Sequence, residues 1–150
     1  MGVIHKTRVV GKPRLERIGL IKSVLQGYRS RLDEELQPFG ITTSQLRMLW
    51  VVEETPAVSG SKVARLCSVT PQSGQATLAL MEANGWIRRR PSDASDRVLV
   101  SELTASGRKV LARGRSIAEG LNRRLWKGIG ERELTVVDAV LEIAIEKLGR

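Results

Sequence analysis

Thr70-Pro71-Gln72-Ser73-Gly74-Gln75-Ala76-Thr77 is a run of neutral hydrogen-bonding and small side chains. It lies near the end of a stretch, Thr55 to Met81, that contains no Asp or Glu, in a chain with 16 acids among 150 residues. Gln, Ser and Thr both donate and accept hydrogen bonds. A helix start that carries them without a carboxylate can approach a wall of phosphates unrepelled. Gln can pair bidentately with adenine N6 and N7, and a small side chain such as Ala76 can meet a thymine methyl. Arg88-Arg89-Arg90 and an isolated Arg97 follow. The chemistry this pattern suits is recognition of duplex nucleic acid.

Other chemistries lack their residues. Cys67 is the only cysteine and His5 the only histidine, so an intrachain disulfide, a cysteine- or histidine-built metal site, a Ser-His-Asp triad and a Cys-His pair are not expected. Asp93 and Asp96 sit on a turn with no base partner, and no catalytic constellation is expected. The reading is not an enzyme, with no cofactor and no metal. Cys67, between Leu66 and Val69, reads as a small core residue rather than an oxidant sensor. Aromatic residues make up only 3% of the chain, which disfavours single-strand binding by base stacking. No apolar run reaches the roughly 18 residues of a membrane span, and the N-terminus has no signal-peptide core. A cytoplasmic protein without a membrane partner is expected. The net charge of +9 favours a polyanionic partner.

The elements that must position these residues follow from periodicity. Residues 1–12 read as a basic arm. Pro13 opens a helix whose apolar positions, Ile18, Ile21, Leu25, Tyr28, Leu32, Leu36 and Phe39, recur by threes and fours up to Pro38-Gly40. Thr42-x-x-Gln45 reads as a capping box for a second helix over about 43–54, burying Leu46, Leu49 and Trp50. Ser59 caps a short third helix with Val63, Ala64 and Leu66. Ser68-Val69 makes the turn. Thr70 caps a fourth helix that buries Gly74, Leu78 and Met81 and ends at Asn84-Gly85. The period then changes to two. Trp86–Arg90 and Val98–Leu103 read as paired strands around a polar turn, 91–96. Thr104 opens a fifth helix, Gly128-Ile129-Gly130 breaks it, and Glu131 to Leu148 reads as a sixth.

The expected fold is mainly α with a small β-hairpin wing (α+β): a winged helix-turn-helix with N- and C-terminal dimerisation helices. Its parts are an arm at 1–12, dimerisation helices at 13–40 and 104–150, and a DNA-binding lobe at 41–103, as one structural unit. The long apolar stripes outside the lobe favour a homodimer, which would set two reading helices about 34–36 Å apart. Intramolecular packing of the stripes is the other reading.

Four runs, in this order, resemble the MarR family of bacterial transcriptional regulators: Gly40-Ile41-Thr42-Thr43-Ser44-Gln45-Leu46; Val63-Ala64-Arg65-Leu66; Leu78-x-x-Met81-Glu82-x-x-Gly85-Trp86-Ile87-x-Arg89; and Leu103-Thr104-x-x-Gly107. The resemblance implies a homodimer on a pseudo-palindromic operator, with the fourth helix in the major groove and the wing in the minor groove. It also implies release by a small aromatic or phenolic effector, as for many of the family's members. The family's wing carries Asp-x-Arg before Leu-Thr. Here Arg97 takes the Arg slot and Ser95 the Asp slot.

The residues expected at the DNA are Gln72, Ser73, Gln75 and Ala76 on the reading helix, Thr70 at its cap, Ser61 and Lys62 on phosphate, and Arg89, Arg90 and Arg97 in the wing. Arg97 is expected at the hairpin tip. Arg88 and Arg90 read equally well as a solubilising face. Tyr28 and Trp50 are the candidate effector contacts, though helical spacing also suits them to a core. The function read from the sequence is a sequence-specific double-stranded DNA-binding transcriptional regulator, a repressor in sign. The alternative is a winged-helix module that binds protein and has no specific DNA affinity.

Overall fold

The computed structural model describes residues 14–149; the expected basic arm and the opening at Pro13 lie outside the described residues. Helix α1 spans Arg14–Leu36 and tightens into a 3₁₀ turn, Gln37–Phe39. Gly40 then takes a left-handed conformation, φ 67°, which glycine adopts without a Cβ clash. Helix α2, Thr43–Glu54, starts in the expected capping box: the Thr42 side chain accepts from the Gln45 backbone N–H, and the Gln45 side chain from that of Thr42. Asp33 of α1 accepts the Thr43 N–H at 2.8 Å, so α1 satisfies a further orphan donor of α2.

After α2 come a two-residue strand β1 (Val58–Ser59), helices α3 (Gly60–Leu66) and α4 (Pro71–Ala83), strands β2 (Ile87–Ser92) and β3 (Ser95–Leu103), and helices α5 (Ala105–Leu125) and α6 (Glu131–Lys147). The sheet is antiparallel with order β1-β3-β2. Three details depart from expectation. A third strand, β1, pairs Val58 with Ser101 and Ser59 with Val100; two residues are too few to show a period. The hairpin is longer than expected. Pro91 and Ser92 belong to β2, and only Asp93 and Ala94 lie between the strands. Proline is tolerated there because β2 is an edge strand. Trp50 is 41% exposed rather than buried; Met48 and Val52 fill the inner face of α2 beside Leu46 and Leu49.

The chain falls into two compact units divided at Ile117/Ala118, within α5. The first holds a core built from every element up to that point. Leu36, Met48, Leu49, Val58, Val63, Leu78, Met81, Ile87 and Leu111 are all buried. The start of α5 is fixed on the hairpin's base. The Thr104 hydroxyl donates to the carbonyls of Gly85 (2.6 Å) and Trp86 (3.1 Å), and it accepts the Gly107 N–H at 3.0 Å. A side chain at Gly107 would run into the Trp86 carbonyl. In the second unit α6 follows an uncapped start at Gly130, and none of its residues is buried.

Candidate nucleic-acid interface

Helix α4 presents a polar face because its apolar one is fully used. Gly74, Leu78 and Met81 point inward, leaving Gln72, Ser73, Gln75 and Ala76 exposed. Gly74 sets the depth of packing: a Cβ there would stand 2.8 Å from the Ala64 Cβ, so only glycine lets α4 lie this close on α3. Thr70 caps the helix, accepting the Ser73 N–H at 3.1 Å and donating to the Ser73 hydroxyl at 2.9 Å. The remaining N–H groups of the first turn give this end a partial positive charge suited to an anion. Ser59 caps α3, accepting the Lys62 N–H at 3.4 Å, and lies 3.2 Å from the Ser61 hydroxyl. Ser61 and Lys62 are exposed on the first turn of α3.

The wing arginines divide by what they already hold. Arg89 is anchored on α4: its Nε and Nη2 meet Glu82 at 2.8 and 2.7 Å, and its backbone N–H meets the same carboxylate at 3.1 Å. These hydrogen bonds hold the Glu82 carboxyl below its ordinary range. The remaining Nη1 donates to Gln75 Oε1 at 3.3 Å. Arg88 and Arg90 share Glu102 across the hairpin at 3.1 and 3.0 Å, and Arg90 also meets Asp93 at 2.9 Å. The Arg88 and Arg90 hydrogen bonds likewise lower the Glu102 carboxyl. Among the described residues, Lys62, Arg65 and Arg97 form no ion pair. They are the cations of this face that a phosphate would not have to take from a carboxylate.

Arg97 is not at the hairpin tip. Ladder pairing runs regularly from Ile87 with Leu103 to Pro91 with Leu99, then shifts so that Ser92 faces Ser95. Asp96, Arg97 and Val98 are the residues left over on β3. This bulge carries Arg97 back from the tip. Ser95, in the position where the resemblance leads one to expect Asp, accepts the Arg97 backbone N–H at 3.3 Å rather than its guanidinium.

The bulge, α3 and α4 enclose a cleft of about 300 Å³ lined by Ser59, Gly60, Ser61, Gln75, Arg89, Arg97, Val98 and Leu99. The structure thus brings Ser61, Gln75, Arg89 and Arg97 together. Lys62, Thr70, Gln72, Ser73, Ala76 and Arg90 are not among its walls. Sequence reasoning missed Gly60 and Glu82. Gly60 carried no signal of its own. Glu82 did: it stands seven residues before Arg89, across the turn at Gly85 that brings β2 back along α4.

Tyr28 and Trp50 do not line this cleft. Tyr28 is half-buried on α1, and burial pushes its phenol up. Trp50 donates from Nε1 to Glu54, and the Arg115 guanidinium lies 4.4 Å from its ring centroid while pairing with Glu53 at 2.5 Å. Cys67 is buried at the end of α3, and burial raises its thiol against the opposing effect of Arg47. That is the environment of an inert core thiol.

Residues 39–97 match the model of the MarR family. Over 97 residues the chain is 31% identical to the HTH-type transcriptional repressor Rv2887 of Mycobacterium tuberculosis, a match spanning 65% of this chain and 70% of that protein. Its fold is similar to that of the reduced form of MarR from E. coli, with a TM-score of 0.78 and 22% identity over 90% of this chain and 98% of that one. It is also similar to MepR from S. aureus, crystallised as a DNA complex, with a TM-score of 0.77 and 21% identity over 85% and 95% of the two chains.

Proposed function

The chain belongs to the MarR family of winged-helix transcriptional regulators, a family of DNA-binding proteins and not of enzymes, and from that premise we propose that it represses transcription by binding a pseudo-palindromic operator as a homodimer. The observation that carries this reading is the exposed, carboxylate-free start of α4, in a lobe where Lys62, Arg65 and Arg97 form no ion pair among the described residues. In this reading α4 enters the major groove, with Gln72, Ser73, Gln75 and Ala76 toward the bases. Thr70, Ser61 and Lys62 sit on phosphate, and Arg97 reaches the minor groove. Arg89 braces the wing. Arg90 meets phosphate only by sharing or leaving Glu102 and Asp93.

A second copy supplies the cover for the apolar residues of α1 and α6. Ile18, Leu20, Val24 and Leu25 on α1, and Val136, Val140, Ile143 and Ile145 on α6, are each more than half exposed in the single chain. Unshielded apolar surface of this extent calls for a partner. The reading extends to a cytoplasmic regulator that a small aromatic or phenolic compound releases from DNA, with Tyr28 and Trp50 as its contacts.

The test is fluorescence anisotropy on the DNA upstream of the chain's own coding sequence against a scrambled duplex, at two salt concentrations. The expected result is preference for the native duplex and an affinity that falls with salt at about −0.9 log units per log unit for each phosphate neutralised. No binding to either duplex at low salt would replace this reading with a protein-interaction module.

A further inference from the structure

We infer that the cleft between α3, α4 and the wing seats one sugar–phosphate unit of the DNA strand that divides the major groove from the minor groove; this rests on the reading of α4 and the wing as the parts that enter those two grooves. Neighbouring grooves of a duplex share one backbone as their border. A protein with a helix in one groove and a hairpin in the next straddles that backbone. In this chain the space between helix and hairpin is a cleft of about 300 Å³, with Ser59 and Ser61 on the helical side and Arg97, Val98 and Leu99 on the wing side.

The walls have the chemistry that such a unit would meet. No carboxylate lines the cleft, and Asp96, the chain neighbour of Arg97, is not among its walls. Two guanidinium groups line it, and they differ. The charge of Arg89 is already countered, because its Nε and Nη2 are held on Glu82 at 2.8 and 2.7 Å. Arg97 forms no ion pair among the described residues. The cleft therefore holds one uncompensated positive charge, which one phosphate matches. The Ser59 and Ser61 hydroxyls lie 3.2 Å apart. That contact uses one of their two protons, so one O–H remains to donate to a phosphate oxygen. Val98 and Leu99 are 42% and 47% exposed, an apolar wall suited to the C–H surface of deoxyribose. In a regular strand two neighbours point to opposite faces; here the bulge beside them lets both border the cleft. The same bulge draws Arg97 back from the tip, to where its guanidinium meets the phosphate on the edge of the minor groove.

The experiment starts from a duplex selected by the full chain out of a pool with a randomised core. Its phosphates are then replaced one at a time by methylphosphonate, which removes one charge and keeps the sequence. One position in each half-site is expected to weaken the unaltered chain about tenfold and to leave Arg97→Ala unmoved, because the charge that phosphate meets is already gone. Ser61→Ala is expected to lose part of its sensitivity at the same position. Lys62→Ala should keep the full loss there, since Lys62 is not a wall of the cleft. Elsewhere each methylphosphonate should weaken the unaltered chain and Arg97→Ala by equal factors. Equal factors at every position, coupling of Arg97 to several positions alike, or coupling of Lys62 as strong as that of Arg97 would each overturn the inference. If the unaltered chain enriches no sequence, the DNA-reading premise falls instead, and the inference with it.

Discussion

Arg97 and Arg90 carry the same charge in the same hairpin and differ in what they already hold. Arg90 is paired with Glu102 and Asp93, whereas Arg97 has no ion pair among the described residues. Arg97→Ala is therefore expected to weaken binding alike on every duplex and to reduce the salt slope by about one. Arg90→Ala should leave that slope nearly unchanged, its loss being internal to the wing. Titrations of both variants at several salt concentrations separate them; equal changes in slope would put Arg90 on phosphate as well. Glu82 gives the same lobe a pH dependence. Its carboxyl is lowered chiefly by the Arg89 hydrogen bonds, so its folded value lies below its unfolded one. Its stabilisation is present above the ordinary carboxylate range and is lost as pH falls through the lowered value. The stability gap between the unaltered chain and Glu82→Gln, read from urea midpoints between pH 6 and pH 3, should narrow with acidification. A gap that stays constant would mean that the ion pair contributes nothing to it.

Helix endings tie these residues into elements. Three turns close in the same way, each with a residue of positive φ just past the helix and a pair of backbone hydrogen bonds back into the last turn. At Gly85 they run from Gly85 N–H to the Glu82 carbonyl and from Trp86 N–H to that of Met81, both at 2.9 Å. At Gly40 they return to Gln37 and Leu36. In the helix-turn-helix the position falls on Ser68, φ 56°, with bonds to Arg65 and Ala64 at 3.1 and 3.0 Å. Serine meets a steric cost in this conformation that glycine does not. Ser68→Gly is expected to raise stability by about 0.5–1 kcal/mol in chemical denaturation, with DNA affinity unchanged. Gly74→Ala should act oppositely, costing about 1–3 kcal/mol, because its methyl would meet the Ala64 methyl and neither can rotate away. Unchanged denaturation midpoints would refute either estimate.

These elements also mark what the sequence makes legible. The caps at Thr42, Ser59, Thr70 and Thr104 and the stops at Gly40 and Gly85 are local rules, and they hold in the structure. Two of the family runs, Gly85-Trp86 and Thr104-x-x-Gly107, meet in space: the Thr104 hydroxyl bridges the carbonyls of the first, and the absent Gly107 side chain leaves room for them. Three features were not legible. The two-residue strand β1 forms only because β3 offers it a ladder. The position of Arg97 depends on a bulge whose register no local pattern encodes. The exposure of Trp50 follows from Met48 and Val52 taking the inner face of α2. The first was settled by a contact distant in sequence, the other two by register and by which face of the helix is packed.

On the scale of the whole molecule, the proposed dimer makes the strongest demand on the chain. Val136 and Val140 lie four residues apart, on one face of α6, and are 58% and 60% exposed. Valines left bare in this way would draw water-exposed helices together without selectivity unless a second copy covers them. Changing Val136→Lys and Val140→Lys together puts two ammonium groups on that face. If the face is the dimer contact, light scattering should report a monomer mass for the variant where the unaltered chain gives a dimer. The effect on DNA binding then separates symmetry from charge. Two added positive charges favour any polyanion, so electrostatics alone predicts tighter binding. Loss of the second reading helix removes the effective concentration that links two half-sites, which is worth about a hundredfold or more. A variant that is monomeric and yet weaker on the selected duplex, while retaining its affinity for a single half-site, would establish that the apolar faces serve recognition through symmetry. A variant that remains dimeric, or a monomer that binds the full site undiminished, would refute that role for α6.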